Sequence, residues 1–406
     1  MAKLLVRDLA QVASPAGDHA PLRGRKDMGA LEVVEDAYVL CEDGRIASVG
    51  PMSALGQVEG DVEELDGRGR AVVPGLVDCH THACFAGDRA GEFAMRADGA
   101  TYEELHAAGG GILSTVRATR AAGERGLEEA MGAHRDWMLA AGTTTFEAKS
   151  GYGLDRDTEL AQLRVVRDAG GIATWLGGHA VPPEFPDGDA YLDFALAEVL
   201  PEAAELAEAA DVFLERGAFD AAQARRYLEA CRDAGLTMRL HADQFTEAGG
   251  VPLAIELGAR SVDHLEATGE DGVRALGRSD VAAVLLPVAA LFLDRPMPRA
   301  RDLLDAGAIV VLATDFNPGS AFCERLAVAM SLACTQMGLG PIAALAACTV
   351  NAAHVLGRAD RLGRIAPGYA ADLLLLDARD WQHLAYHFGG DLVAAVVKDG
   401  EIAWAR

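Results

Sequence analysis

Residues 73–82 read Val73-Pro74-Gly75-Leu76-Val77-Asp78-Cys79-His80-Thr81-His82. An apolar run with the habit of a β-strand, Ala71–Val77, gives way to two histidines spaced i, i+2. Alternate side chains of a strand point to the same face, so both imidazoles leave the strand end together. Neutral imidazole suits borderline metals such as Zn²⁺, Fe²⁺ or Ni²⁺. An HxH pair alone also fits ordinary polar histidines, so its meaning depends on what the chain sets beside it.

Working outward, short apolar runs alternate with helical stretches across the middle of the chain. After Ala71–Val77 the strand candidates are Thr143–Ala148, Ile172–Leu176, Asp211–Leu214, Thr237–Leu240, Ser261–Val262, Val281–Leu285 and Ile309–Ala313. Helical patterns lie between them, among them Leu127–Ala141, Asp189–Ala209 and Ala221–Ala234, and several stop at a glycine (Gly142, Gly170, Gly235, Gly258, Gly307). Eight β/α units in a row predict a (β/α)8 TIM-type barrel with its active site at the C-terminal strand ends. A doubly wound sheet is the competing architecture. No GxGxxG follows a strand, and Gly109–Gly111 falls in a loop. The same strand-end logic selects His241, His264 and Asp315. Three further strands thus deliver His or Asp to the end that carries His80 and His82. Three His and one Asp leave an open position for water, as a catalytic metal requires.

The ends of the chain differ from the middle. Short β-type runs with turn residues mark residues 1–70 and the tail, with Asp399-Gly400 as one turn. The expected domains are 1–70 and 359–406, the two parts of a small β-sandwich domain, with the barrel over 71–358. Segment 11–30, rich in Pro and Gly, reads as a mobile loop. A formal net charge of −25 opposes phosphate backbones and anionic membranes, so no nucleic acid and no membrane is expected as partner. A small anionic substrate remains compatible, because one buried Arg reverses the field locally. Seven Cys without a CxxC pair, and a start, Met1 to Leu9, that lacks an apolar signal run, place the chain in the cytoplasm.

With these residues in view, the chain resembles the amidohydrolase superfamily. The hallmarks are the 73–82 stretch, His241, His264, Thr314-Asp315 and the tail segment Gly363-Arg364-Ile365-Ala366-Pro367-Gly368. Finer motifs resemble its imidazolonepropionase family: Lys149-Ser150-Gly151-Tyr152-Gly153-Leu154, His179-Ala180-Val181-Pro182-Pro183-Glu184, Leu240-His241-Ala242-Asp243-Gln244 and Thr314-Asp315-Phe316-Asn317-Pro318-Gly319-Ser320. The likeness spans essentially the whole chain. It implies one metal ion, Zn or Fe, held by His80, His82, His241 and Asp315. It also implies a cytoplasmic homodimer that hydrolyses the cyclic amide of 4-imidazolone-5-propanoate, a small anionic substrate, to N-formimidoyl-L-glutamate.

Site roles follow from that resemblance. Arg89 would fork onto the propanoate carboxylate, Tyr152 and His179 would hold the substrate, and Asn317, Gly319 and Ser320 would offer hydrogen bonds to ring or carboxylate. Gln244 departs from the glutamate of some family members; an amide takes no proton at neutral pH, so Gln244 can orient but not act as base. The general base is then Asp315 or His264, with His264 also serving the oxyanion. Lys149 reads as a charge anchoring the site or an ion-pair partner, and Cys79 and Cys84 as core thiols. Two alternatives stay open: a related deaminase of an aromatic heterocycle, and a non-catalytic barrel that has lost its chemistry.

Overall fold

The computed structural model describes residues 3–18, 20–100 and 110–406. Met1, Ala2, His19 and Gly109 of the segments read above lie outside the described residues. Strands β1 (Lys3–Pro15), β2 (Leu31–Glu42), β3 (Arg45–Pro51), β4 (Glu63–Asp66) and β5 (Ala71–Pro74) come first. Eight strands follow: β6 (Leu76–Asp78), β7 (Thr143–Lys149), β8 (Ile172–Gly178), β9 (Ala209–Leu214), β10 (Thr237–Ala242), β11 (Ser261–His264), β12 (Ala282–Leu285) and β13 (Ile309–Leu312). The tail adds β14 (Leu373–Leu376), β15 (Val393–Lys398) and β16 (Glu401–Ala405).

β6 to β13 pair in sequence order, every pair parallel. Backbone bonds beyond the last strand bring the two edges together: Asp315 N donates to His80 O (3.0 Å) and His82 N to Phe316 O (2.9 Å). Asp78 reinforces that seam, accepting from the Thr314 hydroxyl at 2.5 Å. The expected fold class, a (β/α)8 barrel with a small β domain from both termini, is the observed one. The terminal sheet runs β16-β15-β14-β5-β1-β2-β3, with β4 beside β1. Its outer hairpins meet: Ala371 N donates to Gly44 O (2.9 Å) and Gly400 N to Ala371 O (3.0 Å). The sheet therefore wraps a core of its own that includes Leu4, Val6, Val39, Ile46, Val72, Leu373 and Val397.

Three expectations change. Ala71–Val77, read as one strand, is split at Gly75 between the terminal sheet and the barrel. Pro74 has no N–H to donate, and a Cβ at Gly75 would overlap the Thr144 side chain. The chain can cross between domains here only because residue 75 is bare. Second, the helix expected over Asp189–Ala209 is Gly188–Phe194 and Leu200–Leu206, joined by a wider turn at Ala195–Val199. Pro201 lacks the N–H that an unbroken α-helix needs, and Ala209 already belongs to β9.

The third change concerns segment 11–30, which is anchored. Residues 11–15 continue β1, and Gly24–Met28 form a short helix. Leu22 and Met28 are buried, and the Asn351 amide grips the Leu22 backbone both ways: Leu22 N to Oδ1 at 2.8 Å and Nδ2 to Leu22 O at 3.0 Å. Nδ2 also reaches Val310 O at 2.9 Å. Replacing Asn351 by Ala strands three buried backbone groups. The expected outcome in urea unfolding is a loss of at least about 1–3 kcal/mol.

Candidate metal centre and active site

The strand ends converge as barrel geometry requires. The side chains of His80, His82, His241 and Asp315 are all at least 95% buried at one end of the barrel. Asp315 Oδ1 lies 3.5 Å from His80 Nε2 and 3.4 Å from His82 Nε2. His241 Nε2 lies 3.3 Å from His82 Nε2. Donor atoms of His80, His82 and Asp315 fall within 4.8 Å of one another, as do those of His80, His241 and His264. His80 Nε2 is buried and has no hydrogen-bond partner, an arrangement that costs free energy unless something takes its lone pair. Imidazole nitrogens pointing at one another around a carboxylate fit a borderline cation and little else.

Two of the imidazoles are oriented from behind. His80 Nδ1 sits 2.5 Å from Asp263 Oδ2, and His241 Nδ1 sits 3.0 Å from Asp211 Oδ1. Those carboxylates are tied to two cations inside the barrel. Arg239 reaches Asp263 (2.8 Å) and Glu147 (3.2 Å), and its Nε donates to Ser261 Oγ at 3.0 Å. Lys149 reaches Glu147 (2.7 Å) and Asp211 (3.0 Å). All five are buried. Lys149 is thus an ion-pair partner. Burial and Arg239 would lower its pKa, but Glu147, Asp211 and Asp263 raise it overall. Burial raises the Asp315 carboxyl, yet the His80 and His82 imidazoles beside it and the charge of His264 hold it well below the usual range. Burial lowers His82 and His241, keeping the neutral form that a ligand needs.

His264 lies beside this group, 5.3 Å from His241 between ring centroids. Its φ is 86°, and that of Leu265 is 71°, angles that non-glycine residues adopt at a cost of about 1–3 kcal/mol each. Such strain turns the imidazole into the mouth. Burial lowers its pKa, but Glu266 at 3.3 Å outweighs that and raises it. Cys79 packs in the core between barrel and helices with Val77, Val284 and Val311. Cys84 is likewise buried, and burial pushes both thiols up.

The remaining candidates ring the mouth. The Tyr152 and His179 rings lie 5.9 and 5.2 Å from that of His82. Burial and the nearby His82 lower His179 to about 3. His179 Nδ1 faces Gly151 O at 2.9 Å, which makes Nδ1 the protonated nitrogen and leaves Nε2 as an acceptor. Burial pushes the Tyr152 phenol up, so it stays a donor. Gln244 is buried next to Asp243, which accepts from the Thr268 hydroxyl at 2.8 Å. Asn317, Gly319 and Ser320 bond to one another: Asn317 Oδ1 accepts from Gly319 N and Ser320 N, both at 2.8 Å. Their turn presses Gly319 against the Arg89 guanidinium so closely that a Cβ there would overlap it. Arg89 itself forks onto Glu92, with Nε at 2.9 Å and Nη2 at 2.8 Å.

Sequence reasoning missed the groups that hold these in place. Glu159 accepts from Gly151 N (3.0 Å), Gly153 N (2.9 Å) and Leu154 N (2.8 Å), fixing the loop that carries Tyr152 and the carbonyl that orients His179. Glu215 accepts from Phe245 N (2.8 Å) and Thr246 N (3.0 Å), holding the backbone just after Gln244. His134 Nδ1 meets Ala83 O at 2.7 Å, next to His82. The available signal was an ionisable residue inside an apolar strand: Glu147, Asp211, Arg239 and Asp263 each break such a run.

Two outcomes are expected. Asp263→Asn leaves the His80 imidazole and Arg239 without their shared anion and should weaken metal binding about 10- to 100-fold in a chelator competition. Glu159→Gln brings an NH₂ against a nest of N–H donors; it should lower kcat/KM at unchanged metal stoichiometry. A loss of metal in that variant would assign Glu159 to the metal centre instead of the Tyr152 loop.

Comparison with known proteins agrees with this geometry. Residues 71–403 match the amidohydrolase family. The imidazolonepropionase of Rubrobacter xylanophilus is 60% identical over 409 residues, covering 98% of this chain and 97% of that one. That of Chloroflexus aggregans is 45% identical, covering 98% of each. A variant of an atrazine chlorohydrolase from Arthrobacter aurescens, solved with zinc and atraton, shares the fold: TM-score 0.72 at 19% identity, over 98% of this chain and 94% of that one. The chain belongs to the amidohydrolase family, and within it to the imidazolonepropionases.

Proposed function

We propose that the chain hydrolyses the ring amide of 4-imidazolone-5-propanoate to N-formimidoyl-L-glutamate, a step of L-histidine degradation. The observation that carries the reading is the convergence of four buried donors, His80, His82, His241 and Asp315, at the mouth of a barrel whose rim carries Arg89. These four would hold one Zn or Fe ion. When bound, such an ion supplies Lewis-acid polarisation and lowers the pKa of water towards about 7.

The rest is the work of the chain. Asp315, held ionised, accepts the proton released as water attacks the ring carbonyl and delivers it to the departing ring nitrogen. His264, whose Nδ1 lies 3.3 Å from Glu266, donates to the carbonyl oxygen as negative charge develops there, an effect typically worth about 3–4 kcal/mol per donor. Gln244 offers its amide to orient substrate or water. His179 Nε2 accepts from a ring N–H, Tyr152 donates its phenol, and Arg89 takes the carboxylate, with Asn317, Gly319 and Ser320 shaping that corner. Seven free cysteines support a cytoplasmic setting, and the same reading takes the protein as a homodimer. No described helix is long and apolar enough to cross a membrane.

The test is a coupled assay with urocanase-generated imidazolone on protein of measured metal content. Turnover should disappear on chelation and return with added metal. His241→Ala should lose both bound metal and activity; full activity in a metal-free protein would sink the scheme. Ammonia release from a purine and pyrimidine panel, without imidazolone hydrolysis, would favour the deaminase alternative.

A further inference from the structure

Helix Ala90–Ala97 follows the first barrel strand and carries a second guanidinium that the site has not yet used. Arg96 Nη2 donates to Gly319 O at 3.2 Å, and its guanidinium carbon lies 5.2 Å from the centroid of the Phe292 ring. Both contacts are with uncharged groups. Among the described residues no carboxylate reaches Arg96 within ion-pair distance. The acid that could do so is committed elsewhere. Glu92 Oε2 takes Arg89, while Oε1 accepts from Gly111 N (3.1 Å) and the Ser114 hydroxyl (2.9 Å). Among the described residues, Arg89 and Arg96 therefore flank Gly319 from two sides with one carboxylate between them, one positive charge more than that carboxylate balances. Burial, and then the charge of Arg89, lower the pKa of Arg96, while Glu92 raises it. A guanidinium has five N–H donors in a planar fork, and among the described residues one of them makes a hydrogen bond.

We propose that Arg96 is a specificity-determining residue that binds the carboxylate of the anionic substrate together with Arg89, through a two-guanidinium clamp closed around Gly319. The inference rests on the reading of this mouth as an imidazolone hydrolase, and it names which group recognises the acid side chain. Arg89 is already paired with Glu92, so among the described residues the charge without a carboxylate partner is that of Arg96. The Phe292 ring lies against the fork at cation–π distance, and Gly319 O fixes one of its edges.

The experiment compares Arg96→Ala and Arg96→Lys with the wild-type holoenzyme on two substrates: 4-imidazolone-5-propanoate, and 5-ethyl-4-imidazolone, which keeps the ring and lacks the acid. Loss of a charge-assisted contact predicts a rise in KM of about 10- to 100-fold for the propanoate in Arg96→Ala. Its kcat and its kcat/KM on the ethyl ring should stay within about twofold. Lys should recover part of the loss, because it keeps the charge and not the fork. No residue of the Ala90–Ala97 helix is fully buried, so the variants should fold. An equal loss on both substrates, or an unchanged KM for the propanoate, overturns the proposal. Calorimetric titration with unreactive 3-(imidazol-4-yl)propanoate against 4-ethylimidazole separates it from the functional reading. A wild-type preference for the acid that falls in Arg96→Ala supports the clamp even if no imidazolone is hydrolysed, an outcome that would remove the assigned reaction alone.

Discussion

The site depends on a ladder of buried charge inside the barrel: Asp263, Arg239, Glu147, Lys149 and Asp211 in unbroken contact. Two cations meet three carboxylates, and the two end carboxylates point outward to His80 and His241. Such a network is weak evidence for stability, because desolvating each ion costs several kcal/mol. Its value lies in geometry. A buried ion that loses its partner is penalised far more than a well-paired one, so each rung locks the next, and the last rungs lock the imidazoles. The His pair is held in one orientation because rotating either ring would strand a carboxylate in a medium of low dielectric.

The same device recurs at the mouth in a different form. Glu159 and Glu215 each spend their oxygens mainly on backbone N–H groups, while Glu92 takes Arg89, the Ser114 hydroxyl and Gly111 N. Loops at a barrel mouth have no sheet partners for their amides, and buried N–H groups must find acceptors. A carboxylate reaching over from the loop's own helix or a neighbouring strand satisfies two or three at once. The loop it organises then presents Tyr152 or Gln244, whereas Glu92 holds the Arg89 side chain directly. Beside them, His264 and Leu265 hold positive φ, strain that the surrounding hydrogen bonds sustain.

Much of this was legible from the chain. Eight apolar runs separated by helical patterns with glycine stops gave the barrel, because strand and helix periods are local properties. His80, His82, His241, His264 and Asp315 could be picked out because each closely follows an apolar run. Less legible were the elements whose fate depends on distant partners. Ala71–Val77 reads as one strand until Thr144 and Asp372 are seen to pull it apart at Gly75. Residues 11–30 read as mobile because nothing local announces that Asn351, more than three hundred positions away, holds Leu22.

The sequence by itself therefore determined the barrel, the end of it that carries chemistry, and the His and Asp donors that meet there. Side-chain alternation and strand ends are written in short-range order. It could not assign Arg239 against Asp263, Glu159 against the Gly151–Leu154 amides, or Arg96 beside Arg89 and Gly319. Each of those pairings joins residues from different segments, and a charge becomes a partner only when packing strips its water and leaves one neighbour to replace it. Only the tertiary structure decided which of the sixty-one acidic side chains are solvated surface and which few hold the site.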